Sequence, residues 1–523
     1  MIFRSPQPDV AIPDSALTPF VFEQARLRGA KPAVIDAETG RGFTYAQLDA
    51  AVRSTAAGLR ARGYAKGDVL AILSPNVPEY PVAFHGAALA GLTATTVNPL
   101  GTAEEIAKQL EDARARGLVA HPTLLGKAAE AARGAGVGEL FVFGGDAAGG
   151  VEPFARLYER EADAPAVEID PRGDVVALPY SSGTTGLPKG VMLTHRNLVA
   201  NLCQIAPLDI TRAEDTALCV LPLFHIYGLA VIMNVSLRVG ATVVMMPRFD
   251  FPEYLDNLER HRVTVAHVVP PIVLALAKQP AVEGRDLSSL RLLFSGAAPL
   301  GAELTRACAQ KLGCAVRQGY GMTESSPATH ITPADAAEAK PGSVGTCVPG
   351  TESKIVDVGT GGPLGAGAEG EICVRGPQVM KGYLNRPEET AQTVDADGWL
   401  HTGDIGYADR DGHFFIVDRA KELIKYKGFQ VAPAELEALL LTHPAVADAA
   451  VVPAADEEAG EIPKAFVVLK PAAPLAADDA PAELMTYVAA RVAPHKKIRR
   501  VELVDQIPKS PSGKILRRML KGK

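Results

Sequence analysis

Short apolar runs alternate with amphipathic helical patterns along most of this sequence. Val69–Leu73 is a continuous apolar run, and similar runs occupy residues 241–246, 263–269 and 290–294. Residues 40–62 instead place apolar side chains three or four positions apart, a spacing typical of an amphipathic helix. Strands that are apolar on both faces need helices on both sides. The alternation therefore predicts a layered α/β protein with mostly parallel strands.

The pattern changes near Asp418, where a strand over residues 413–417 gives way to charged residues. A helix then begins at Pro433, in the first-turn position that tolerates proline, and a compact βαβ-like tail follows. We predict a large N-terminal domain over residues 1–417, built from layered α/β subdomains and a β-rich subdomain with a hairpin around residues 359–370. A small mobile α+β C-terminal domain is predicted over residues 418–523, with a hinge at 417–419.

Charge and cysteine content exclude several classes of protein. The chain has 53 Lys and Arg against 60 Asp and Glu, a net charge of −7, which argues against non-specific nucleic-acid binding. Its 6 cysteines form no CxxC pair and are expected to be buried apolar residues in a reducing compartment. The N-terminus lacks the apolar core of a signal peptide, so a cytoplasmic protein is expected. The oligomeric state is left open.

Residues 216–237 carry no Asp, Glu, Lys or Arg and are long enough to cross a membrane. Pro222, His225, Gly228 and Asn234 interrupt the apolar run, and its first half has the character of a strand and loop. We therefore predict a buried core segment here and no stable membrane insertion.

The strongest chemical signal is the sequence SSGTTGLPKG at residues 181–190, which follows the apolar run 175–178. Glycines allow close backbone approach, and four hydroxyls with one lysine supply donors for phosphate oxygens. The spacing does not fit the GxxxxGK[ST] pattern of a P-loop. A Gly/Ser/Thr surface turn is the structural alternative. The density of donors favours a phosphate-binding loop.

This loop resembles that of the adenylate-forming enzymes, which include acyl-CoA synthetases and 4-coumarate:CoA ligases. Four further segments agree in order: QGYGMTE at 318–324, WLHTGD at 399–404, Asp418 and Arg419 with IKYKG at 424–428, and PKSPSGKI at 508–515. The segments LPLFHIYGL at 221–229, SGAAPL at 295–300 and GEICVRG at 370–376 look like 4-coumarate:CoA ligases in particular. The resemblance covers nearly the whole chain.

The resemblance implies an ATP and AMP site made of Ser181, Ser182, Gly183, Thr184, Thr185, Gly186, Lys189, Ala297, Gln318, Gly319, Tyr320, Gly321, Thr323, Asp404, Arg419, Lys421, Gln430 and Lys514. Within it, Asp404 is expected to accept the ribose hydroxyls, as carboxylates do in dinucleotide folds. Glu324 is expected to bind Mg²⁺, a hard cation that needs few protein carboxylates when phosphate oxygens complete its shell. Outside these motifs, Asp404 and Glu324 would each be interpreted as an ordinary carboxylate in a turn or on the surface.

The catalytic residues implied are Lys514, His225, Lys421 and Gln430. Lys514 would contact the carboxylate and the α-phosphate during adenylation, where a cation stabilises developing charge. His225 would orient the acyl carboxylate and gate entry of the thiol. Outside this resemblance, Lys514 would be a surface lysine and His225 a satisfied core histidine.

The acyl pocket implied by the resemblance is lined by His225, Tyr227, Val231, Phe294, Ala297, Gly319, Gly321, Pro327 and Ala328. Aromatic and small apolar walls suit a flat ring. Two positions depart from the common plant pattern, since Val231 stands where a small polar residue is frequent and Ser326 where glycine is. Because Val231 offers no hydrogen bond, the sequence predicts that cinnamate is used at least as well as 4-coumarate.

Coenzyme A is expected to contact Arg248, Lys425, Lys427 and Gly428. The reaction implied has two steps. A carboxylate attacks ATP to give an acyl-adenylate and pyrophosphate, and the CoA thiol then displaces AMP. Two steps with different donors need different surfaces at one site, which a hinged small domain provides. The predicted activity is therefore that of an AMP-forming acid–thiol ligase.

Three alternatives remain open at this point. A medium- or long-chain fatty acyl-CoA ligase would use the same chemistry with a longer pocket. A peptide-synthetase-like enzyme would load a separate carrier protein, since only residues 515–523 follow Lys514. A non-catalytic nucleotide-binding scaffold is disfavoured, because Lys189, Glu324, Asp404 and Arg419 are all present.

Overall fold

The computed structural model describes residues 1–144, 150–159, 162–181, 188–335, 337–419, 422–427, 429–456, 458–471, 475–510 and 513–520. Its strands, β1 to β28, are Ile2–Arg4, Pro32–Asp36, Gly42–Thr44, Val69–Leu73, Thr93–Thr96, Ala115–Ala120, Glu139–Val142, Val151–Pro153, Val175–Ala177, Tyr180–Ser181, Lys189–Thr194, Thr216–Cys219, Thr242–Met245, Val265–Val268, Leu292–Ser295, Ala315–Gly321, Ala328–Ile331, Thr346–Cys347, Glu352–Val356, Gly370–Arg375, Gly382–Tyr383, Leu400–Ala408, Phe414–Arg419, Ile424–Tyr426, Phe429–Val431, Val446–Asp456, Gly460–Leu469 and Arg500–Leu503.

The α-helices, α1 to α14, are Leu17–Val21, Ala25–Arg28, Tyr45–Ala61, Tyr80–Leu89, Ala103–Asp112, Leu125–Ala135, His195–Ile205, Val235–Val239, Phe251–Arg260, Pro270–Lys278, Ala302–Leu312, Pro387–Thr393, Pro433–Leu441 and Ala480–Ala489. A π-helix spans Tyr227–Asn234. Short 3₁₀ segments occupy Pro122–Leu124, Phe154–Leu157, Ala206–Leu208, Pro280–Val282, Thr323–Ser325, Pro494–Lys496 and Arg517–Met519.

Three sheets lie largely before residue 419 and a fourth lies after it. Two have nine strands, in the orders β10-β11-β9-β5-β4-β6-β7-β8, with β21 on β11, and β18-β17-β16-β15-β14-β12-β13-β2-β3. A five-stranded sheet has the order β1-β19-β20-β22-β23. The fourth has the order β25-β24-β27-β26, with β28 parallel to β27. The predicted fold class, α/β with a β-rich subdomain and an α+β C-terminal part, is confirmed.

The sequence patterns explain these elements locally. β4 is buried after its first residue, as expected for a strand covered on both faces. Helix α3 begins at a capping box. The Thr44 hydroxyl accepts a hydrogen bond from the Gln47 backbone amide, and the Gln47 side-chain oxygen accepts one from the Thr44 backbone amide. Glu139–Val142 forms strand β7, because this short run pairs in parallel with β6.

The uncharged segment 216–237 is buried, as predicted. It forms β12, a loop and the π-helix, every residue of which is buried. Among the described residues, no helix is long and apolar enough to cross a membrane. All six cysteines are free, five of them buried and Cys203 half-buried.

Several contacts among the described residues join the C-terminal part to the larger one. Lys278 Nζ donates to the carbonyl of Leu441 at 2.6 Å. A Cβ placed on Gly301 would lie 3.9 Å from the Cβ of Ala438 on α13. A Cβ on Gly513, whose φ is +78°, would lie 2.8 Å from a methyl carbon of Val269. Gly513, the residue before Lys514, is thus packed against the residue that follows β14.

Strand β23 continues to Arg419, so the predicted boundary at 417/418 falls two residues before its end. The carboxylate of Asp418 is buried and accepts from the amides of Arg419, at 2.7 Å, and Ala434, at 2.8 Å. Asp418 therefore joins the last strand of the third sheet to the first turn of α13. The hinge at 417–419 stays a prediction.

Candidate active site

A buried carboxylate lies at the centre of the site. Antiparallel pairing of β22 with β23 places Asp404 opposite Arg419, and Arg419 Nε is 3.1 Å from Asp404 Oδ1. The Tyr320 hydroxyl donates to Asp404 Oδ2 at 2.6 Å. Burial and then the charge of Asp404 raise the pKa of Tyr320 well above its usual value. Charge-assisted hydrogen bonds thus fix these three side chains relative to one another.

The turn that carries Asp404 is held from a neighbouring strand. Glu371 on β20 accepts from the Gly403 amide through Oε1 at 2.9 Å, and its Oε2 lies 3.0 Å from His401 Nδ1. The Thr402 hydroxyl donates to the Ile372 carbonyl at 2.7 Å. Sequence reasoning missed Glu371, because its role depends on pairing between distant strands.

A second buried carboxylate, Glu324, lies in the 3₁₀ turn Thr323–Ser325 and is 4% exposed. The Tyr383 hydroxyl donates to Glu324 Oε1 at 2.8 Å, and Lys189 Nζ lies 4.5 Å from the centroid of the Tyr383 ring. Glu324 Oε2 has no hydrogen bond to any described residue. A carboxylate with one oxygen left for a further ligand fits a Mg²⁺ ion whose other ligands are phosphate oxygens and water. Tyr383 carried no signal in the single sequence.

Lys514 faces these groups. Its side chain reaches solvent, but the protein around it is dense enough to disfavour the charged form. Burial and the positive charge of Arg419 lower its pKa, against the opposing influence of Asp404 and Glu324. Lys514 is therefore within electrostatic reach of the residues predicted to bind ribose and magnesium, as expected for an adenylation site.

His225 belongs to the same cleft. Burial and then the positive charge of Lys514 lower its pKa to about 3, so the imidazole is neutral near pH 7. His225 Nδ1 lies 3.3 Å from the Tyr227 amide, the geometry of an acceptor. A neutral imidazole held in this way can orient a carboxylate without adding charge.

The predicted acyl pocket is tightly walled. The Tyr227 hydroxyl donates to the Phe294 carbonyl at 2.8 Å. A Cβ on Gly319 would lie 2.9 Å from Phe294 Cζ, and one on Gly321 would lie 2.0 Å from the Pro327 carbonyl oxygen. Larger residues cannot replace these glycines without movement of the wall. Val231 and Ala328 are also buried.

The segment after β15 is held by Gln318. Its side-chain oxygen accepts from the Leu300 amide and its side-chain nitrogen donates to the Leu300 carbonyl, each at 3.2 Å. Ala297 within this segment has a φ of +69°, a conformation rare for a residue with a side chain. Gln318 thus positions the pocket edge.

The residues predicted to bind CoA lie on exposed surfaces, and their described contacts do not involve the cleft around Asp404. Arg248, Lys425 and Lys427 are exposed, and Lys427 pairs with Glu458. The Lys425 amide donates to Glu461 at 2.7 Å. These described contacts are within the C-terminal part and not with the cleft around Asp404.

Part of the predicted site cannot be placed. Ser182, Gly183, Thr184, Thr185, Gly186, Lys421, Gly428 and the side chain of Gln430 lie outside the described residues. Ser181 ends β10, and Lys189 begins β11, which pairs with it. The two strands therefore bracket the predicted phosphate loop. Thr323 is half-buried beside Glu324.

The fold and the cleft define a class of α/β proteins in which a lysine of the C-terminal part lies near a charged group on the larger part. The family model "AMP-binding enzyme" matches residues 21–384, and "AMP-binding enzyme C-terminal domain" matches residues 435–514. The chain belongs to the AMP-binding enzyme family. The predicted family is confirmed, and so is the prediction of an AMP-forming acid–thiol ligase.

Curated relatives match along the whole chain. It is 48% identical over 532 residues to 4-coumarate–CoA ligase 5 of Oryza sativa subsp. japonica, covering 100% of this chain and 97% of the relative. It is 47% identical over 533 residues to 4-coumarate–CoA ligase 2 of Petroselinum crispum, with the same coverage.

Solved structures agree in fold. ATP-bound MatB from Rhodopseudomonas palustris is 30% identical with a TM-score of 0.87, covering 97% of this chain and 98% of that one. Apo MatB from the same organism is 31% identical with the same coverage, but its TM-score is 0.78. This chain is therefore closer in overall shape to the ATP-bound form of that protein.

Proposed function

We propose that this protein is an ATP-dependent carboxylate:CoA ligase acting on cinnamate-type acids. The observation that carries the proposal is the convergence of Lys514, Asp404, Arg419, Glu324 and His225 on one cleft. These side chains come from two sheets and the C-terminal tail, and their charges are not explained by packing alone. They suit a reaction in which an acyl carboxylate meets the α-phosphate of ATP.

Asp404 would bind the ribose hydroxyls, and Tyr320 and Arg419 hold its two oxygens in place. Glu324 would hold Mg²⁺ and Lys189 would contact phosphate oxygens, with Tyr383 packed between them. The bound Mg²⁺ supplies charge neutralisation for the phosphates. Each of these side chains is ordered by its neighbours, so little rearrangement is needed when charge develops.

Lys514 would donate to the acyl carboxylate and to the α-phosphate oxygen. Its lowered pKa reflects burial beside Arg419, and binding of an anionic substrate would stabilise the protonated form. The neutral His225 would orient the acyl carboxylate for attack. Pyrophosphate leaves, and the acyl-adenylate remains between the pocket and Asp404.

Thioester formation requires that the CoA thiol reach the acyl carbon, which Lys514 approaches in this arrangement. Rotation of the C-terminal domain about Asp418 and Arg419 would withdraw Lys514 and bring Lys425, Lys427 and Gly428 to the cleft. Arg248 would meet a CoA phosphate from the larger domain. The likeness to ATP-bound MatB supports the view that the arrangement seen here serves the first step.

The class of carboxylic acid that serves as substrate is inferred from two observations. The relatives named above are 4-coumarate–CoA ligases. The pocket is narrow, with Tyr227, Phe294 and glycines that admit no side chain. A flat ring on a short conjugated spacer suits such walls better than a flexible alkyl chain.

The test is a substrate screen with purified protein, ATP, Mg²⁺ and CoA. The acids are cinnamate, 4-coumarate, ferulate, benzoate and saturated acids of six to twelve carbons. Acid-dependent pyrophosphate exchange and acyl-CoA formation are both measured. We expect the cinnamate-type acids to give the highest kcat/KM. A preference for dodecanoate would overturn the aromatic assignment, and absence of exchange with every acid would overturn the ligase itself.

A further inference from the structure

A glutamate, a cysteine and a histidine come together on one face of the five-stranded sheet. Glu371 and Cys373 are two positions apart on β20, so their side chains lie on the same face of the strand. The antiparallel register of β20 with β22 places His401 directly opposite Cys373. Glu371 Oε2, Cys373 Sγ and His401 Nδ1 all lie within 4.8 Å of one another. Strand pairing thus gathers a cluster of three potential metal ligands that the spacing of cysteines along the sequence does not show.

The distances within this cluster are close to those around a tetrahedral zinc ion. Bonds of about 2.3 Å to sulfur and about 2.0 Å to nitrogen or oxygen place the sulfur and nitrogen ligands about 3.6 Å apart, and the nitrogen and oxygen ligands about 3.3 Å apart. Cys373 Sγ lies 3.5 Å from His401 Nδ1, and His401 Nδ1 lies 3.0 Å from Glu371 Oε2. Small movements of these side chains would direct all three atoms at one ion.

The second ring nitrogen of His401 faces a fixed carboxylate. His401 Nε2 lies 3.6 Å from Asp395 Oδ2. The other oxygen, Asp395 Oδ1, accepts hydrogen bonds from the amides of Asp397 and Trp399, both at 2.9 Å. A histidine that binds a metal through one nitrogen commonly directs its other N–H to a carboxylate. A proton on Nε2 would leave Nδ1 as the nitrogen that faces Cys373 and can bind a cation.

The cluster combines a buried sulfur with access to solvent. Cys373 is 0% exposed, whereas the side chains of His401 and Glu371 are 33% and 21% exposed. An ion could therefore enter from the surface and keep a water ligand. The carboxylates of Glu371 and Asp395 attract a cation to this face. Lys354, which is opposite Cys373 on β19, opposes them, but its ammonium lies over an aromatic ring, 4.3 Å from the centroid.

We propose that Glu371, Cys373 and His401 form a binding site for a divalent transition-metal ion of the Zn²⁺ type, with water as the fourth ligand. Sulfur, imidazole and carboxylate are the ligands that zinc takes in proteins, whereas Mg²⁺ prefers oxygen alone. When the ion binds, a bond forms between the metal and Cys373 Sγ, and the thiol proton goes to solvent. Glu371 Oε1 would still accept from the Gly403 amide, so the ion would lie beside the turn that carries Asp404.

The first experiment titrates Co²⁺ into the purified full-length protein without an affinity tag, Mg²⁺ or nucleotide, under nitrogen. Co²⁺ takes the place of Zn²⁺ and gives visible bands that report tetrahedral geometry and a near-ultraviolet charge-transfer band that reports a thiolate ligand. We expect both signals to saturate at one equivalent and Zn²⁺ to abolish them. Binding to carboxylates elsewhere gives no charge-transfer band. Absence of that band at saturating Co²⁺ would overturn the proposal, whatever the variants show.

The second experiment assigns the ligands. Cys373→Ser should abolish the charge-transfer band, and His401→Gln should weaken Co²⁺ binding by at least about tenfold. Asp395→Asn, which removes the carboxylate behind His401, should weaken binding by about tenfold. Cys347→Ser is the matched control, because Cys347 Sγ lies 3.6 Å from His330 Nε2 in a second buried Cys–His contact. Both ring nitrogens of His330 face hydroxyl groups, so this pair is not expected to bind the ion.

A charge-transfer band that survives in Cys373→Ser and disappears in Cys347→Ser would overturn the assignment. The unfolding temperature of each metal-free variant shows whether it is folded, and Cys373→Ala replaces Cys373→Ser if the serine variant is not. One equivalent of Zn²⁺ should also raise the unfolding temperature of the unmodified protein but not that of the Cys373 variant. An equal rise in both would contradict the site. None of these measurements depends on ligase activity.

Discussion

Replacement of Lys514 by alanine should separate the two half-reactions. In the structure, Lys514 lies within electrostatic reach of Arg419, Asp404, Glu324 and His225. Loss of one preorganised donor to developing charge costs about 3–4 kcal/mol, and 1.36 kcal/mol is tenfold in rate. Lys514→Ala should therefore slow acyl-adenylate formation by about a hundredfold or more.

The assay measures acid-dependent pyrophosphate exchange, and separately measures thioester formation from a supplied acyl-adenylate and CoA. The second rate should be close to that of the unmodified enzyme, because Lys514 is expected to leave the cleft for that step. Lys509→Ala is a matched control, since Lys509 lies on the same tail but pairs with Asp448 at 2.6 Å. Equal loss of both half-reactions in Lys514→Ala would refute the two-conformation reasoning.

Three further predictions concern the opposing surface, the pH dependence and the ribose site. Lys427→Glu should spare pyrophosphate exchange and raise the apparent KM for CoA, because a like charge would face a polyanion. Collapse of exchange with a normal KM for CoA would instead place Lys427 at the ATP site. Burial and Arg419 lower the pKa of Lys514, so pyrophosphate exchange should fall as pH rises through a value below 10.5, the ordinary lysine value. Because the pKa of His225 is about 3, the rate of pyrophosphate exchange should not change with its titration near pH 6.5. A change in rate near pH 6.5 that is absent from the His225→Ala variant would contradict the neutral state of His225. Asp404→Asn should raise the KM for ATP and lower the free energy of unfolding by about 2 kcal/mol. This loss of stability is smaller than that expected on breaking a fully buried ion pair, because the Arg419 side chain is partly exposed. A denaturant midpoint equal to that of the unmodified protein would show that the pair adds no stability.

Local patterns in the sequence predicted several of the elements, and the family resemblance named residues that the structure brings together around Asp404. The run Val69–Leu73 is strand β4 with the same bounds, and the helix expected at residues 40–62 is Tyr45–Ala61. Asp404 and Arg419 were assigned from motifs fifteen residues apart, and strand pairing brings them into contact. Short-range periodicity and motif spacing are properties of the chain itself, which is why they can be recognised without coordinates.

The remaining features depend on long-range packing. Tyr383 contacts Glu324 only because β21 pairs with β11, and Glu371 supports the Gly403 turn only because β20 pairs with β22.

The central claim is that the arrangement seen here serves adenylation and must open for thioester formation. Gly301 and Ala438 lie on opposite sides of the contact, and their Cβ positions are 3.9 Å apart, within the range that a disulfide spans. The double variant Gly301→Cys with Ala438→Cys, once oxidised, should lock this contact. Each single variant is the control for chemical effects on the native cysteines.

The most direct measurement is the rate of the two half-reactions in the oxidised double variant before and after reduction. The account predicts that pyrophosphate exchange continues in the oxidised protein, that acyl-CoA formation stops, and that a reductant restores it. Undiminished acyl-CoA formation by protein shown to be fully cross-linked would contradict the account.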